Sequence, residues 1–88
     1  MIVSTTPSFN KDISKIRDKK LQGKIETFLQ NMERAKSLSE LSGIKKLGGS
    51  ENAFRLRIGD FRLGFYLEGI TIRLMVFAHR KEVYKYFP

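Results

Sequence analysis

The sequence predicts an α+β domain: an N-terminal strand and a two-helix hairpin packed on one face of an antiparallel three-stranded meander. Three observations carry this. Residues 54–79, FRLRIGDFRLGFYLEGITIRLMVFAH, alternate between apolar and mostly polar or basic positions at the two-residue period of a strand. Gly59-Asp60 and Glu68-Gly69 break that run into three and suit tight hairpins. Upstream, apolar residues recur every three or four positions, the period of amphipathic helices. The 88 residues make one domain, 1–88, too short for a second catalytic unit.

Taken in order, Ile2–Thr5 is short and β-branched, a first strand. Thr6 can cap a helix whose first position suits Pro7. Phe9, Ile13 and Ile16 step at helical spacing. Leu21, Ile25, Phe28, Leu29 and Met32 form the apolar stripe of a second helix, with a residue or two left for the link. Residues 37–52 read as a connector with a short helical turn and a Gly48-Gly49-Ser50 loop. The tail RKEVYKYFP reads as a helical turn or an irregular end folded back over the sheet edge.

Within the meander, alternation puts Phe54, Leu56 and Ile58, then Phe61, Leu63, Phe65 and Leu67, then Ile70, Ile72, Leu74, Val76 and Ala78 on the face toward the helices. The other face collects Arg55, Arg57, Arg62, Tyr66, Arg73, Phe77 and His79, with Arg80, Lys81 and Tyr84 following. Nothing in this reading covers that second face, so it is expected to be open and basic.

Charge agrees with such a surface. Seventeen Lys and Arg against nine Asp and Glu give a formal +8, which favours an anionic partner. The absence of cysteine excludes disulfides, thiolate metal sites and cysteine nucleophiles. One histidine and few paired carboxylates argue against a zinc site, so neither metal nor cofactor is expected. No window approaches a membrane span and the N-terminus lacks a signal-peptide core, so no membrane partner and a cytoplasmic setting are expected.

Arginine binds phosphate through a fork of donors and stays charged at any working pH. Tyrosine and phenylalanine offer stacking platforms to unpaired bases, and histidine moves protons near neutrality. Together these suit metal-free RNA cleavage, in which a 2′-OH attacks the adjacent phosphorus. Proton transfer contributes about 10²–10⁴-fold, and fixed charge near the developing anion often more.

Residues 44–88 resemble the RelE branch of the RelE/ParE toxin superfamily. The resemblance rests on the lead-in Lys46-Leu47-Gly48-Gly49, the hairpin Phe54-Arg55-Leu56-Arg57-Ile58-Gly59-Asp60-Phe61-Arg62, and the ending His79-Arg80-Lys81-Glu82-Val83-Tyr84. It implies a type II toxin, without a cofactor, that cuts messenger RNA in the ribosomal A site and is neutralised by a cognate antitoxin, here expected to be acidic. By position it implies that Arg62 contacts the scissile phosphate, Arg80 stabilises it, and Tyr84 stacks on or orients the substrate. Arg55 and Arg57 fall where well-known members carry RNA-binding lysines. Arginine is a poor base, so His79 becomes the candidate proton carrier. Arg73, Lys81, Lys45 and Lys46 join the expected RNA contacts. The alternative is a ParE-like toxin that poisons DNA gyrase by binding and cuts nothing.

Overall fold

The computed structural model describes residues 1–88, with two helices and one five-stranded sheet. Strand β1 spans Ile2–Thr5 and helix α1 spans Pro7–Ser14. Thr6 caps α1: its Oγ1 accepts from the Phe9 amide at 3.2 Å, and Pro7 follows at the start of the helix. Helix α2 spans Lys19–Arg34. Its cap is Asp18, whose Oδ1 accepts from the Lys20 and Leu21 amides at 2.9 and 3.2 Å. The link is therefore residues 15–18, longer than the one or two residues expected. Ile16 lies in it because Asp18 satisfies the free amides of the next helix and stops α1 from running on.

The strands that follow are β2 (Ile44–Lys46), β3 (Ala53–Ile58), β4 (Phe61–Glu68) and β5 (Thr71–His79), in the spatial order β1-β5-β4-β3-β2. The expectation of a three-stranded sheet is thus corrected to five strands of mixed direction. Strands β3, β4 and β5 pair antiparallel in sequence, through two-residue turns at Gly59-Asp60, as expected, and at Gly69-Ile70, one residue later than the expected Glu68-Gly69, so Ile70 is exposed in the turn and not on the face toward the helices. Gly59 has φ +58° and Gly69 +62°, the left-handed backbone that lets so short a loop follow the strand twist. Two more strands flank them. β1 runs parallel to β5, and β2, inside the stretch read as a connector, runs antiparallel to β3. A three-residue edge strand such as Ile44–Lys46 has too little alternation to show in sequence. The connector's helical turn is a 3₁₀ turn at Leu38–Glu40.

Alternation breaks in β5. Gly64 pairs with Val76 but Phe65 pairs with Leu74, so Met75 is an extra residue forming a β-bulge. One extra residue moves every later side chain to the opposite face. Met75 keeps the outward facing expected of it, and the expected facing of residues 76–79 is reversed. Phe77 belongs to the core under the helices, whereas Val76 and Ala78 pack on the other side.

The main core joins Phe9, Ile25 and Met32 of the helices to Leu56, Ile58, Leu63, Phe65, Ile72, Leu74 and Phe77 of the sheet. A second, smaller core occupies the face expected to be open. Val83 and Phe87 of the tail pack there on Ala53, Val76 and Leu47. The tail forms a 3₁₀ turn at Val83–Lys85 and lies across the sheet face, not merely along its edge. The expectation of a bare face is corrected accordingly. Burying Val83 and Phe87 contributes about 1.5–3 kcal/mol each toward holding the tail on the sheet.

β1 covers β5 only along Thr71–Leu74, and α1 caps what lies next to it. Thr6 Oγ1 donates to the Leu74 carbonyl at 2.9 Å, and Asp12 Oδ2 accepts from the Phe77 amide at 3.0 Å. These bonds satisfy edge groups that would otherwise be open to pairing. Asp12→Ala leaves the Phe77 amide unpaired and is expected to cost about 1–3 kcal/mol in urea denaturation, with Asp12→Asn recovering most of it.

Candidate functional site

Arg62 has Arg55, Arg57 and Arg80 as its charged neighbours. It lies on β4, the central strand, facing away from the helices and directly opposite Arg57 on β3 and Ala78 on β5. Its Nη1 donates to the carbonyls of Gly59 and Phe61, both at 2.9 Å. The turn thus holds one edge of the guanidinium and leaves its remaining donors for a ligand. Ala78 contributes only a methyl, so its side chain adds little bulk beside Arg62.

Like charges surround this group. Partial burial lowers the Arg62 pKa from its ordinary value, and the neighbouring Arg55 and Arg57 lower it further. Tyr84 acts in the opposite direction, and Arg80 adds to the lowering. Two arginines directly opposite on adjacent strands repel each other. Such a cluster costs folding free energy and is relieved by a bound anion.

Arg80 and Tyr84 reach the site from the tail. The Arg80 amide donates to the Asp60 carbonyl at 2.8 Å, tying the start of the tail to the turn that holds Arg62. Tyr84 is 57% exposed, so its ring is available to a base. Arg55 is held by a 3.0 Å bond from Nη1 to the Gly43 carbonyl, and its buried Nε has no partner. Lys45 pairs with Arg55 and shares its face. Lys81 is exposed in the turn after β5. Glu82, the carboxylate of the tail, is bound to Lys85 at 3.0 Å, and this hydrogen bond raises the Lys85 pKa.

Other candidates lie elsewhere. The bulge turns His79 to the side of its partner Phe61, where the rings meet edge to face at 5.6 Å. Its Nδ1 accepts from the Lys81 amide at 3.2 Å. His79 is therefore not on the arginine face where alternation put it. Phe77 is buried and stacks on Phe61 at 5.2 Å, so it is no platform for a base. Tyr66 keeps its face but packs on Phe87 at 5.0 Å. Arg73 pairs with Tyr66 rather than Arg62, four residues along β4, and forms an exposed 3.5 Å ion pair with Glu68. Lys46 pairs with Phe54 and so lies on the helix side. Sequence reasoning missed Val83 and Phe87 as the residues that bring the tail onto the sheet. Their signal was two apolar side chains one helical turn apart in an otherwise polar end.

Stability is expected to rise as sodium chloride is raised from about 20 to about 200 mM, because screening weakens repulsion among the arginines. Phosphate at equal ionic strength should stabilise further by occupying the cluster. Thermal unfolding in the two salts checks this, and a midpoint that falls with salt would contradict it.

No family model matches the chain. It is 33% identical over 89 residues to the toxin RelE3 of Methanocaldococcus jannaschii, covering 100% of both proteins. Its fold superposes on a chain of the RelB–RelE antitoxin–toxin complex from Methanococcus jannaschii with a TM-score of 0.81 and 30% identity, covering 96% of this chain and 98% of the other. The toxin–antitoxin complex RelBE2 of Mycobacterium tuberculosis matches with a TM-score of 0.67 at 23% identity over 90% of this chain and 96% of that one, a likeness of fold alone. On the full-length similarity to the archaeal toxin, this chain belongs to the RelE family of toxins, in the RelE-like branch of the RelE/ParE superfamily.

Proposed function

We propose that this protein is a type II toxin that cuts messenger RNA in the ribosomal A site without a metal. The observation that carries the reading is Arg62, anchored by the turn carbonyls with Arg55, Arg57, Arg80 and Tyr84 as its electrostatic neighbours. In the reaction the 2′-oxygen attacks the adjacent phosphorus and the bond to the 5′-oxygen breaks. A 2′,3′-cyclic phosphate and a 5′-hydroxyl result. Arg62 and Arg80 neutralise the non-bridging oxygens, whose charge grows as the phosphorane forms. Tyr84 stacks on or orients a base beside the scissile phosphate. Lys45, Arg55, Arg57 and Lys81 hold flanking phosphates. His79, turned toward Phe61, is not given the proton-carrier role in this reading. Tyr84, an electrostatic neighbour of Arg62, is assigned the proton transfer: its hydroxyl gives a proton to the leaving 5′-oxygen and regains the one that water takes from the 2′-hydroxyl.

A cognate antitoxin completes the proposal. The matching structures from Methanococcus jannaschii and Mycobacterium tuberculosis are complexes with antitoxins, and the +8 charge here complements an acidic partner. A ribosome-directed toxin works in the cytoplasm.

Toeprinting on translating ribosomes tests the nuclease. The expected result is cleavage at defined codon positions that disappears in Arg80→Ala. Inhibition of gyrase supercoiling with mRNA left intact would instead support the ParE-like alternative. Binding to RNA should weaken with salt at a log–log slope of about −0.7 per phosphate neutralised.

A further inference from the structure

Gly64 lies on β4 two residues beyond Arg62 and shares its face. A Cβ built on it would fall 2.6 Å from Cδ2 and 2.8 Å from Cγ of the Phe87 ring, and 2.7 Å from Cγ1 of Val76. These separations are shorter than carbon atoms tolerate, so glycine is required for the ring to seat where it does. The seat is closed by Tyr66, whose ring lies 5.0 Å from that of Phe87, and Phe87 is only 3% exposed. Gly64 has no positive φ, and the extra residue of the adjoining bulge is Met75 on β5, so backbone freedom does not account for it. What accounts for it is space for the tail.

The tail is held at three points. The Arg80 amide is bound to the Asp60 carbonyl at 2.8 Å, Val83 is fully buried, and Phe87 fills the Gly64 seat. Between the last two, the Tyr86 amide donates to the Val83 carbonyl at 3.1 Å, closing a short turn. Tyr84 rides on this span, exposed, with no hydrogen bond of its own side chain to fix it. Its place within electrostatic reach of Arg62 is set by the anchors on either side.

We infer that Gly64 and Phe87 form a latch that positions Tyr84 and Arg80 against Arg62, and so are positioning residues for the cleavage site. The inference rests on the proposed nuclease activity for its consequence, though not for its geometry. Opening the latch leaves the main core intact, because the Phe87 cluster lies on the opposite side of the sheet. It frees the groups that must meet the phosphate. Misplacement by about 1 Å of such groups costs about 10²-fold in rate.

The test compares Phe87→Ala, Phe87→Leu, Gly64→Ala and the double variant Gly64→Ala/Phe87→Ala in the full-length protein. Maximal single-turnover cleavage on programmed ribosomes is read beside the half-saturating ribosome concentration and the unfolding midpoint. Phe87→Ala and Gly64→Ala should each lower the maximal rate by about 10–10²-fold. Half-saturation should change by less than about threefold, since the phosphate-binding arginines of the sheet remain. Phe87→Leu should restore most of the rate. The double variant should be no slower than the worse single one, because both changes open the same latch. Wild-type rates in Phe87→Ala, or losses that add in the double variant and follow the unfolding midpoint, would overturn the inference.

Nuclear magnetic resonance separates this outcome from failure of the nuclease reading. The Tyr84 ring and Arg62 Nε–H resonances are followed in the same variants. If the wild-type protein cuts no mRNA, the proposed activity falls. The latch then stands if both signals move on Phe87→Ala, and it falls if only residues around position 87 respond.

Discussion

Replacing Arg62 with alanine is expected to reduce mRNA cleavage by about 10²–10³-fold, equivalent to about 2.7–4 kcal/mol of transition-state stabilisation, without loss of fold stability. Both halves come from one arrangement. The guanidinium is the basic group on the central strand and is anchored by two 2.9 Å bonds to turn carbonyls, so it meets the developing charge with little reorganisation. The same group is held among Arg55, Arg57 and Arg80, and partial burial with their charges lowers its pKa. A base with a lowered folded-state pKa holds its proton less tightly in the fold than in the unfolded chain. Its charge therefore disfavours folding throughout the working pH range, and relief comes only in strong alkali. Removing it takes away a repelled cation, and the turn carbonyls it leaves can be rehydrated. Arg62→Lys should be intermediate in activity, because lysine supplies a point charge without the fork. Single-turnover cleavage and calorimetry on the three proteins check this. Alanine at position 62 with cleavage within about threefold of the unaltered protein would remove Arg62 from the mechanism.

Phe65→Ala is expected to destabilise the domain by about 3–5 kcal/mol. Phe65 is 0% exposed, stacks on Phe54 at 5.7 Å, and is paired with Leu74 just beside the bulge. A domain of this length has roughly 4–13 kcal/mol in total, so the loss removes much of the margin and a substantial population unfolds on mild heating. The arginine face would then lose its framework, because β4 carries Arg62 on one side and Phe65 on the other. Urea unfolding should show a lower midpoint at unchanged slope. A change below about 1 kcal/mol would mean that the core refills the space, contrary to its tight packing.

The reading from sequence succeeded where a residue's surroundings are its near neighbours in the chain. Thr6 and Pro7 start α1 because capping and a fixed φ are local properties. Leu21, Ile25, Phe28, Leu29 and Met32 form one helical stripe, with Ile25 and Met32 buried, because 3.6-residue spacing is written in the order of residues. Arg55, Arg57 and Arg62 fall on one face of β3 and β4 because no bulge intervenes between them. It failed at β5, where Met75 looks like any strand residue yet its extra place turns Phe77 inward and His79 toward Phe61. A bulge depends on how two strands register, and register is a relation between segments.

The order of residues by itself determined the class of fold, the start of α1, the first hairpin turn and the row of arginines, since each follows from spacing along one segment. Only the tertiary structure decided that β1 and β2 extend the sheet to five strands, that His79 turns away from Arg62, and that Phe87 seats on Gly64. Those outcomes join residues as far apart in the chain as Thr5 and Leu74, or Gly64 and Phe87. The physical reason is burial. Which distant apolar side chains leave water together depends on the shape of the folded sheet, and the tail carrying Arg80 and Tyr84 goes where Val83 and Phe87 find cover.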